Sequence, residues 1–250
     1  METILKAEKI NKSYEEEGKK NIILNNLSLE IKKGEFVTVM GPSGSGKSTL
    51  LYCVSGMDTI DSGTISLKGK VISGYSEQEM AEVRRKEMGF VFQQPSLLKN
   101  LSILDNIILT AILDNPKKSA EITKRGRDLL KQTGILELAD RDIAKVSGGQ
   151  LQRAGICRAL INNPSILFAD EPTGALNSKS ASEILEILKA VNAKGTTILM
   201  VTHDAKVASE SSRVLFMKDG EFVSERTFSS KESSASRLDT ITHTMRTLGI

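Results

Sequence analysis

Short apolar runs alternate with amphipathic segments along most of this chain. EFVTVM at residues 35–40 and SILFAD at residues 165–170 are short and mostly apolar, as expected for strands buried in a parallel sheet. Residues 180–195 instead carry apolar side chains at positions 184, 185, 187, 188 and 191, which is the spacing of an amphipathic helix. Strands that alternate with helices predict an α/β fold with a mostly parallel sheet.

Other regions depart from this alternation. Strand-like segments near the N-terminus predict an antiparallel β part, at residues 3–14, 21–31 and 62–72. Residues 94–163 are mostly helical in pattern, and we expect them to form an inserted helical subdomain within one domain of residues 1–228. Residues 229–250 are rich in serine and threonine, and they predict a polar C-terminal tail with a weak helical tendency near its end.

Composition narrows the function classes. The chain has 250 residues and a net charge of +3, a balance too even to indicate a nucleic-acid partner. The two cysteines, Cys53 and Cys157, lie far apart without a C-x-x-C spacing, so we expect buried apolar side chains in a reduced intracellular setting. The first residues, METILKAEKINKSY, are charged from the second position and lack the apolar h-region of a signal peptide. No apolar run is long enough to cross a bilayer, so we expect any membrane part on another chain.

A glycine-rich loop follows the apolar run at residues 35–40. GPSGSGKS, at residues 41–48, fits the pattern G-x-x-x-x-G-K-[ST], in which glycines let backbone amides approach phosphate oxygens. The helix predicted after it adds the positive end of its dipole. In such loops the lysine, here Lys47, reaches the β- and γ-phosphates, and the hydroxyl of Ser48 ligates Mg²⁺. The residues predicted to bind nucleotide here are Gly41, Ser43, Gly44, Ser45, Gly46, Lys47, Ser48 and Thr49.

Two adjacent carboxylates, Asp170 and Glu171, end the apolar run at residues 165–170. A protein with a phosphate loop needs a carboxylate at the end of a neighbouring strand to hold Mg²⁺ through its water shell, and Asp170 suits that role. Glu171 can then act as a general base on the water that attacks the γ-phosphate. Without the loop, such a pair would more often be a helix cap or a solvated turn. Together the two motifs predict hydrolysis of a nucleoside triphosphate.

The base of the nucleotide is indicated by a missing motif. GTPases carry an N-K-x-D sequence that reads guanine, and the only Asn-Lys pair here, Asn11-Lys12, lacks the aspartate. ATP is therefore the predicted substrate, with Mg²⁺ as its cofactor. Tyr14, on a predicted strand, could stack on adenine, although a tyrosine taken alone is more often just a surface residue.

A second helix start with glycines lies at residues 146–153, VSGGQLQR. A serine and two glycines at a helix N-terminus form a second anion site. Two phosphate-binding ends in one chain suggest a head-to-tail dimer, in which each ATP lies between the phosphate loop of one copy and the SGGQ of the other. A plain N-capped helix would be enough to explain this motif on its own.

In this order, the motifs closely resemble the nucleotide-binding subunit of ABC transporters, over about residues 3–226. The resemblance implies that Tyr14 stacks on adenine and that residues 41–48 are the Walker A loop. It implies that Asp170 ends the Walker B motif and that Glu171 is the catalytic glutamate. The signature motif, which binds the ATP of the partner subunit, then consists of Ser147, Gly148, Gly149 and Gln150.

Some positions gain a meaning only from this resemblance. Gln93, in GFVFQQ, matches the glutamine that ligates Mg²⁺ and senses the transmembrane partner. His203, in MVTHD, matches the switch histidine that contacts the γ-phosphate. The implied catalytic residues are Glu171, His203 and Gln93, and the implied Mg²⁺ contacts are Ser48, Gln93 and Asp170.

Two positions depart from the family's pattern. Val146 stands where leucine is more usual, which is a mild change. Asn177 stands where the D-loop, which crosses the dimer interface, normally has aspartate. Asparagine loses the charge and gains two amide donors. Either the coupling between the two subunits is altered, or asparagine simply suffices at this position.

Within the family, the chain most resembles the MacB-type branch, and especially the Bce-type cassettes that act with a large permease against cell-wall-directed peptide antibiotics. The segments that carry this likeness are RRKEMGFVFQQPSLL, EPTGALNSKSA and SRVLFMKDG. The resemblance implies a homodimer of cassettes on the cytoplasmic face of the membrane. The resemblance also implies that this dimer binds an integral-membrane permease around Gln93 and the helical subdomain.

Three other functions are compatible with a phosphate loop. Translation factors carry two cassettes in one chain, and repair ATPases insert a long coiled coil, whereas this chain has one Walker A loop and no sustained heptads. A binding module without turnover is disfavoured by Glu171 and His203. An ATPase that regulates cell division or lipoprotein release through a membrane partner stays open, since no residue of a cassette touches the transported molecule.

Overall fold

The computed structural model describes residues 2–16, 18–229 and 231–250. The strands are β1 (Thr3–Glu16), β2 (Lys19–Lys32), β3 (Phe36–Met40), β4 (Ser62–Leu67), β5 (Lys70–Val71), β6 (Met88–Val91), β7 (Ile166–Asp170), β8 (Thr197–Thr202), β9 (Arg213–Lys218) and β10 (Glu221–Thr227). The helices are α1 (Lys47–Val54), α2 (Glu77–Glu87), α3 (Ile103–Asp114), α4 (Ser119–Gln132), α5 (Gly148–Leu160), α6 (Ser178–Ala193), α7 (Ala205–Ala208) and α8 (Ser234–Leu248).

The larger sheet has six strands in the order β10-β9-β3-β8-β7-β6. All of its neighbouring pairs are parallel except β10 with β9. Every residue of β3 and of β8 is buried, which explains why their sequences are nearly continuous apolar runs. The predicted α/β fold with a mostly parallel sheet is confirmed.

The smaller sheet is antiparallel, with the order β2-β1-β4-β5. Its buried side chains, such as Leu5, Ile10 and Ile31, belong to one cluster with Leu50 and Leu51 of α1. The same cluster contains residues of the larger sheet. The helix that follows the glycine-rich loop is therefore packed against both sheets, which fixes its position and rotation.

The helices α3, α4 and α5 pack around a separate apolar cluster, in which Ile107, Leu130 and Cys157 are fully buried. Cys157 and Cys53 are both free thiols in buried positions, as predicted. Burial raises the pKa of each thiol to about 12, so both remain protonated at neutral pH. Within the described part of the chain, no helix has both the length and the apolar character needed to cross a membrane.

The segment expected to be a polar tail contains a well-packed helix, α8, of 15 residues. Ile241 of this helix is fully buried against residues of α7 and β9, and Met245 and Leu248 extend the same face. The guanidinium of Arg237 donates hydrogen bonds to the backbone carbonyls of Ser211 and Ser229. The helix is longer and more firmly packed than its sequence indicates. The sequence signal is weak because only three apolar positions of this face are spread among serines and threonines.

Candidate nucleotide site

The loop between β3 and α1 can be built only with glycine at several positions. Gly44 and Gly46 have φ angles of +81° and +99°, a region that other residues rarely adopt. A Cβ atom on Gly41 would lie 2.1 Å from the backbone oxygen of Met217 on β9. The amide of Gly220 donates to the carbonyl of Ser45 at 3.1 Å, which ties the loop to the β9–β10 turn.

Lys47, the first residue of α1, folds back across this loop. Its Nζ donates to the carbonyl oxygens of Gly41 at 2.9 Å and Pro42 at 2.8 Å. Burial lowers the pKa of Lys47, and the carboxylates of Glu171 and Asp170 oppose that effect. None of the ion pairs among the described residues includes Lys47. Its ammonium group has only neutral carbonyl partners, so it is available to bind an anion in the loop.

Asp170, the last residue of β7, receives hydrogen bonds from two side chains of α1. The Oγ of Ser48 donates to Oδ1 at 2.9 Å, and the hydroxyl of Tyr52 donates to Oδ2 at 2.6 Å. Burial and the bond to Asp170 raise the pKa of Tyr52 to about 12. Sequence reasoning missed Tyr52, although its position four residues after Ser48 places it on the same face of α1.

Glu171 is held in an unusual backbone conformation at the centre of the site. Its φ angle is +46°, and such strain costs on the order of 1 kcal/mol in a residue other than glycine. One carboxylate oxygen lies 2.8 Å from Nδ1 of His203, and the other accepts from Oγ1 of Thr202 at 3.1 Å. The side chain of Glu171 is 17% exposed and that of His203 is 68% exposed. Thr202 is a second contributor that sequence reasoning missed.

A cavity of about 350 Å³ brings most of the predicted nucleotide-binding residues together. It is lined by Ile23, Ser43, Gly44, Gly46, Lys47, Ser48, Thr49, Glu171 and His203. Glycines, hydroxyls and a lysine on one side thus face a carboxylate and an imidazole on the other. This arrangement fits a phosphate chain whose end lies beside a general base.

Tyr14 is not one of the residues that line this cavity, and a hydrogen bond from its hydroxyl group holds its side chain in place. Its hydroxyl donates to Oδ2 of Asp58, and this bond raises the pKa of Tyr14 to about 12. Lys12 pairs with the same carboxylate at 2.8 Å and lies 4.8 Å from the centre of the ring. The residue as a whole is 41% exposed, so part of the ring remains accessible.

The SGGQ segment begins α5 and lines a different cavity, of about 570 Å³. Ser147 and Gln150 form a capping box, in which the side chain of each accepts from the backbone amide of the other. A Cβ on Gly149 would lie 2.9 Å from Oγ of Ser180 on α6. The two cavities share no lining residue, so the described chain alone does not bring this segment to the phosphate loop.

Gln93 and Asn177 lie outside the residues that line the cavity at the phosphate loop. Gln93 follows β6, and its amide nitrogen would lie 2.9 Å from a Cβ on Gly174. Asn177 is the N-cap of α6, where its Oδ1 accepts from the amide of Ser180 at 2.9 Å. Gln152, which is fully buried, donates to the carbonyls of Phe92 and Pro172 and so joins the segment at Gln93 to the one after Glu171.

Comparison with known proteins places this geometry in a defined family. The family model described as ABC transporter matches residues 24–174. The chain is 44% identical over 224 residues to the bacitracin export ATP-binding protein BceA of Halalkalibacterium halodurans, covering 89% of this chain and 88% of that protein. It is 42% identical over 231 residues to the lipoprotein-releasing system ATP-binding protein LolD of Aquifex aeolicus, covering 91% and 99%.

Two further similarities bear on size and assembly. The chain is 42% identical over 211 residues to the macrolide export ATP-binding/permease protein MacB of Bdellovibrio bacteriovorus, but it spans only 32% of that protein. A solved dimeric ATP-binding cassette in a post-hydrolysis state, bound to ADP and Pi, superposes with a TM-score of 0.84 at 37% identity. That match covers 90% of this chain and 99% of the solved chain.

Proposed function

The chain belongs to the ABC transporter family as an ATP-binding subunit with ATPase activity, and we propose that it powers a separate permease in resistance to, or export of, peptide antibiotics directed at the cell wall. The observation that carries this proposal is the match to the bacitracin export protein, which extends over 89% of this chain and 88% of that one. A match of this extent supports a cassette of the same type. The macrolide export ATP-binding/permease protein is matched over only 32% of its length.

ATP is proposed to bind with its phosphates in the loop at residues 41–48. The ammonium of Lys47, which has only carbonyl partners there, turns to the β- and γ-phosphates. The start of α1 supplies the positive end of its dipole. Adenine stacks on the exposed part of the Tyr14 ring, whose orientation is fixed by Asp58.

The residues around Asp170 fit Mg²⁺. The hydroxyl of Ser48 and the carboxylate of Asp170 are oxygen donors in direct contact, and Mg²⁺ prefers such ligands while it retains several waters. Ser48, Asp170 and Gln93 are the residues that would hold the ion beside the phosphates. When bound, Mg²⁺ neutralises charge on the phosphate oxygens.

Hydrolysis is proposed to depend on Glu171 as the general base. Thr202 and His203 each contact one oxygen of its carboxylate, which fixes the direction in which it accepts a proton from water. His203 uses Nδ1 for this contact and lines the cavity, and its other ring nitrogen, Nε2, is proposed to contact the γ-phosphate. The histidine thereby links the state of the phosphate to the position of the base.

Two copies of the chain are proposed to close around two ATP molecules. The signature residues Ser147 and Gly149 line a cavity separate from the phosphate loop, and we propose that they contact ATP held by a partner subunit. The similarity to a dimeric cassette bound to ADP and Pi supports this arrangement. ATP binding closes the dimer, and hydrolysis reopens it.

The permease is proposed to dock in a cleft of about 400 Å³ between α2, β6 and α5. Apolar and basic side chains share this cleft, among them Met57, Arg84, Arg85, Phe90, Phe92 and Arg158. Its composition fits a short cytoplasmic helix with apolar and acidic residues. Docking there would hold the chain at the cytoplasmic face of the membrane, next to the segment that carries Gln93.

Growth against a panel of cell-wall-directed peptide antibiotics tests the proposed role. The source cell would carry the wild-type chain, a Glu171→Gln variant, or a Glu137→Gln control at an exposed glutamate. We expect Glu171→Gln to sensitise cells to particular peptides and the control to behave as wild type. Unchanged sensitivity of the Glu171→Gln strain would contradict the role in resistance.

A second function is supported by the match to the lipoprotein-releasing ATPase, which covers 91% of this chain and 99% of that protein. In that case the cassette drives a regulatory or lipoprotein-releasing partner. The same Glu171→Gln strain would then keep its antibiotic resistance while envelope integrity or division fails. A four-span membrane partner would also favour this alternative, whereas a large permease with an extracellular domain favours the first.

A further inference from the structure

Both oxygens of the Asp170 carboxylate are engaged by side chains of a single helix. Ser48 donates to Oδ1 at 2.9 Å and Tyr52 donates to Oδ2 at 2.6 Å. The two donors are four residues apart on α1, which places them one turn apart on the same face. Asp170 is thus held at two points instead of one.

The position of Tyr52 is fixed by its surroundings. Its ring packs against the main apolar cluster, and the flanking residues Leu51 and Cys53 are almost completely buried. Its backbone oxygen accepts from the amides of Met57 at 2.9 Å and Asp58 at 3.1 Å. A phenol held in this way has little freedom to turn away from the carboxylate.

We propose that Tyr52 is a positioning residue that fixes the rotation of the Asp170 carboxylate, so that Oδ1 faces Ser48 and the site of the divalent cation. This inference rests on the proposed function, in which Ser48 and Asp170 hold Mg²⁺. The carboxylate can keep the bond from Tyr52 when a cation arrives, because each oxygen has two acceptor sites. Only the bond from Ser48 to Oδ1 has to be replaced, as the Ser48 oxygen becomes a ligand.

Removal of the Tyr52 hydroxyl should weaken the cation site and spare the nucleotide site. Without a donor on Oδ2, the Asp170 side chain can rotate about its last torsion angle, and part of its population points away from Ser48. Loss of a hydrogen bond to a metal ligand typically costs 10- to 100-fold in affinity or activity. Because Asp170 acts through water of the cation, we expect a smaller effect, about three- to tenfold.

The test uses the full chain as wild type, Tyr52→Phe and Tyr75→Phe. The phenylalanine variant of Tyr52 keeps the ring and removes only the hydroxyl. Tyr75 is a partly exposed tyrosine outside both cavities of the proposed ATP site, and it serves as the matched control. Electron paramagnetic resonance would measure the binding of Mn²⁺ to each protein in the presence of AMP-PNP. Calorimetry would measure the binding of ATP itself in the presence of EDTA.

We expect Tyr52→Phe to bind Mn²⁺ about three- to tenfold more weakly than wild type, with unchanged ATP affinity in EDTA. The Mg²⁺ concentration for half-maximal ATPase activity should rise by the same factor, while the KM for ATP at saturating Mg²⁺ stays within about twofold. Equal or tighter Mn²⁺ binding by Tyr52→Phe would overturn the proposal. If Tyr52→Phe lowers the melting temperature, the same binding measurement is made at a temperature where all three proteins are folded.

The outcome is separable from that of the proposed function. Wild-type protein that fails to bind ATP or to release phosphate would contradict the placement of the nucleotide site. Wild-type protein that does both, together with a Tyr52→Phe variant that binds Mn²⁺ normally, would leave the ATPase site intact and reject only the role of Tyr52.

Discussion

At the scale of single residues, the carboxylate of Glu171 is the group on which turnover should depend. The glutamine variant keeps the size of the side chain and removes the base, so it should bind ATP normally. We expect its rate of phosphate release to fall by about 100-fold or more, as is typical for loss of a general base. Phosphate release and equilibrium ATP binding, measured on the same preparation, check both halves of this expectation. If the Glu171→Gln variant kept wild-type turnover, another residue would have to be the general base. The Glu137→Gln variant controls for the replacement of a glutamate by glutamine at an exposed position.

Asn177 is a second residue whose replacement separates structure from function. Its Oδ1 caps α6 through the amide of Ser180, and aspartate caps a helix about as well as asparagine. The free energy of unfolding of Asn177→Asp should therefore lie within about 0.5 kcal/mol of wild type. We expect the ATPase rate or its cooperativity in ATP to change, because the variant adds a carboxylate at the proposed interface between subunits. Equal rates and equal cooperativity would show that asparagine simply suffices here.

Some residues of the site could be predicted and others could not, for a physical reason. The glycines, Lys47 and Ser48 are recognisable because the whole phosphate-binding motif lies within consecutive positions 41–48. Asp170 and Glu171 gain meaning from that loop because a strand end must lie beside it. Tyr52, Thr202 and Gln152 act through hydrogen bonds to other elements, and their partners are set by packing. No local pattern of residue types indicates such a bond.

At the scale of elements, the C-terminal helix α8 is stabilised by packing although its sequence shows only a weak helical pattern. Ile241 is fully buried in a cluster that includes Met40, at the end of the strand before the phosphate loop. Replacement of Ile241 by alanine should lower the free energy of unfolding by about 2–4 kcal/mol, because it leaves a cavity that the neighbours cannot fill. Denaturant unfolding would measure this loss.

The matched control on the same helix is Asp239→Ala, at an exposed position. It should change the free energy of unfolding by no more than about 0.5 kcal/mol. If Ile241→Ala were equally mild, α8 would contribute little to the fold and the expected polar tail would describe it better. If only Ile241→Ala lowered the free energy of unfolding, α8 would be part of the packed structure that supports α7. Helix α7 begins two residues after His203.

At the scale of the whole molecule, the order of strands explains how distant motifs meet. The phosphate loop follows β3, the two carboxylates lie at the end of β7, and His203 follows β8. In the sheet, β8 lies between β3 and β7. The carboxyl ends of parallel strands share one edge of the sheet, so these groups converge there. The sequence predicts the strands and their alternation with helices. The order of the strands is not encoded locally, and no pattern of residues along the chain predicts it.

For the whole molecule, we predict that two chains are needed to hydrolyse each ATP. Lys47 and Ser147 line separate cavities of one chain, so each proposed ATP site combines Lys47 of one subunit with Ser147 of the other. Neither Lys47→Ala nor Ser147→Arg protein alone can assemble an intact site. A dimer of one variant with the other has one site with both defects and one site with none.

Mixing the two inactive variants should therefore restore ATPase activity. With random exchange of subunits, half of the dimers are mixed and each has one of two sites intact, so we expect about a quarter of wild-type activity in a symmetric dimer. The rate of phosphate release would be measured for the mixture and for each variant alone at the same total protein concentration. If the mixture stays inactive while both variants are folded and still form dimers, each ATP would be processed within a single chain. The signature segment would then be only a capped helix, which is what its hydrogen bonds within one chain already account for.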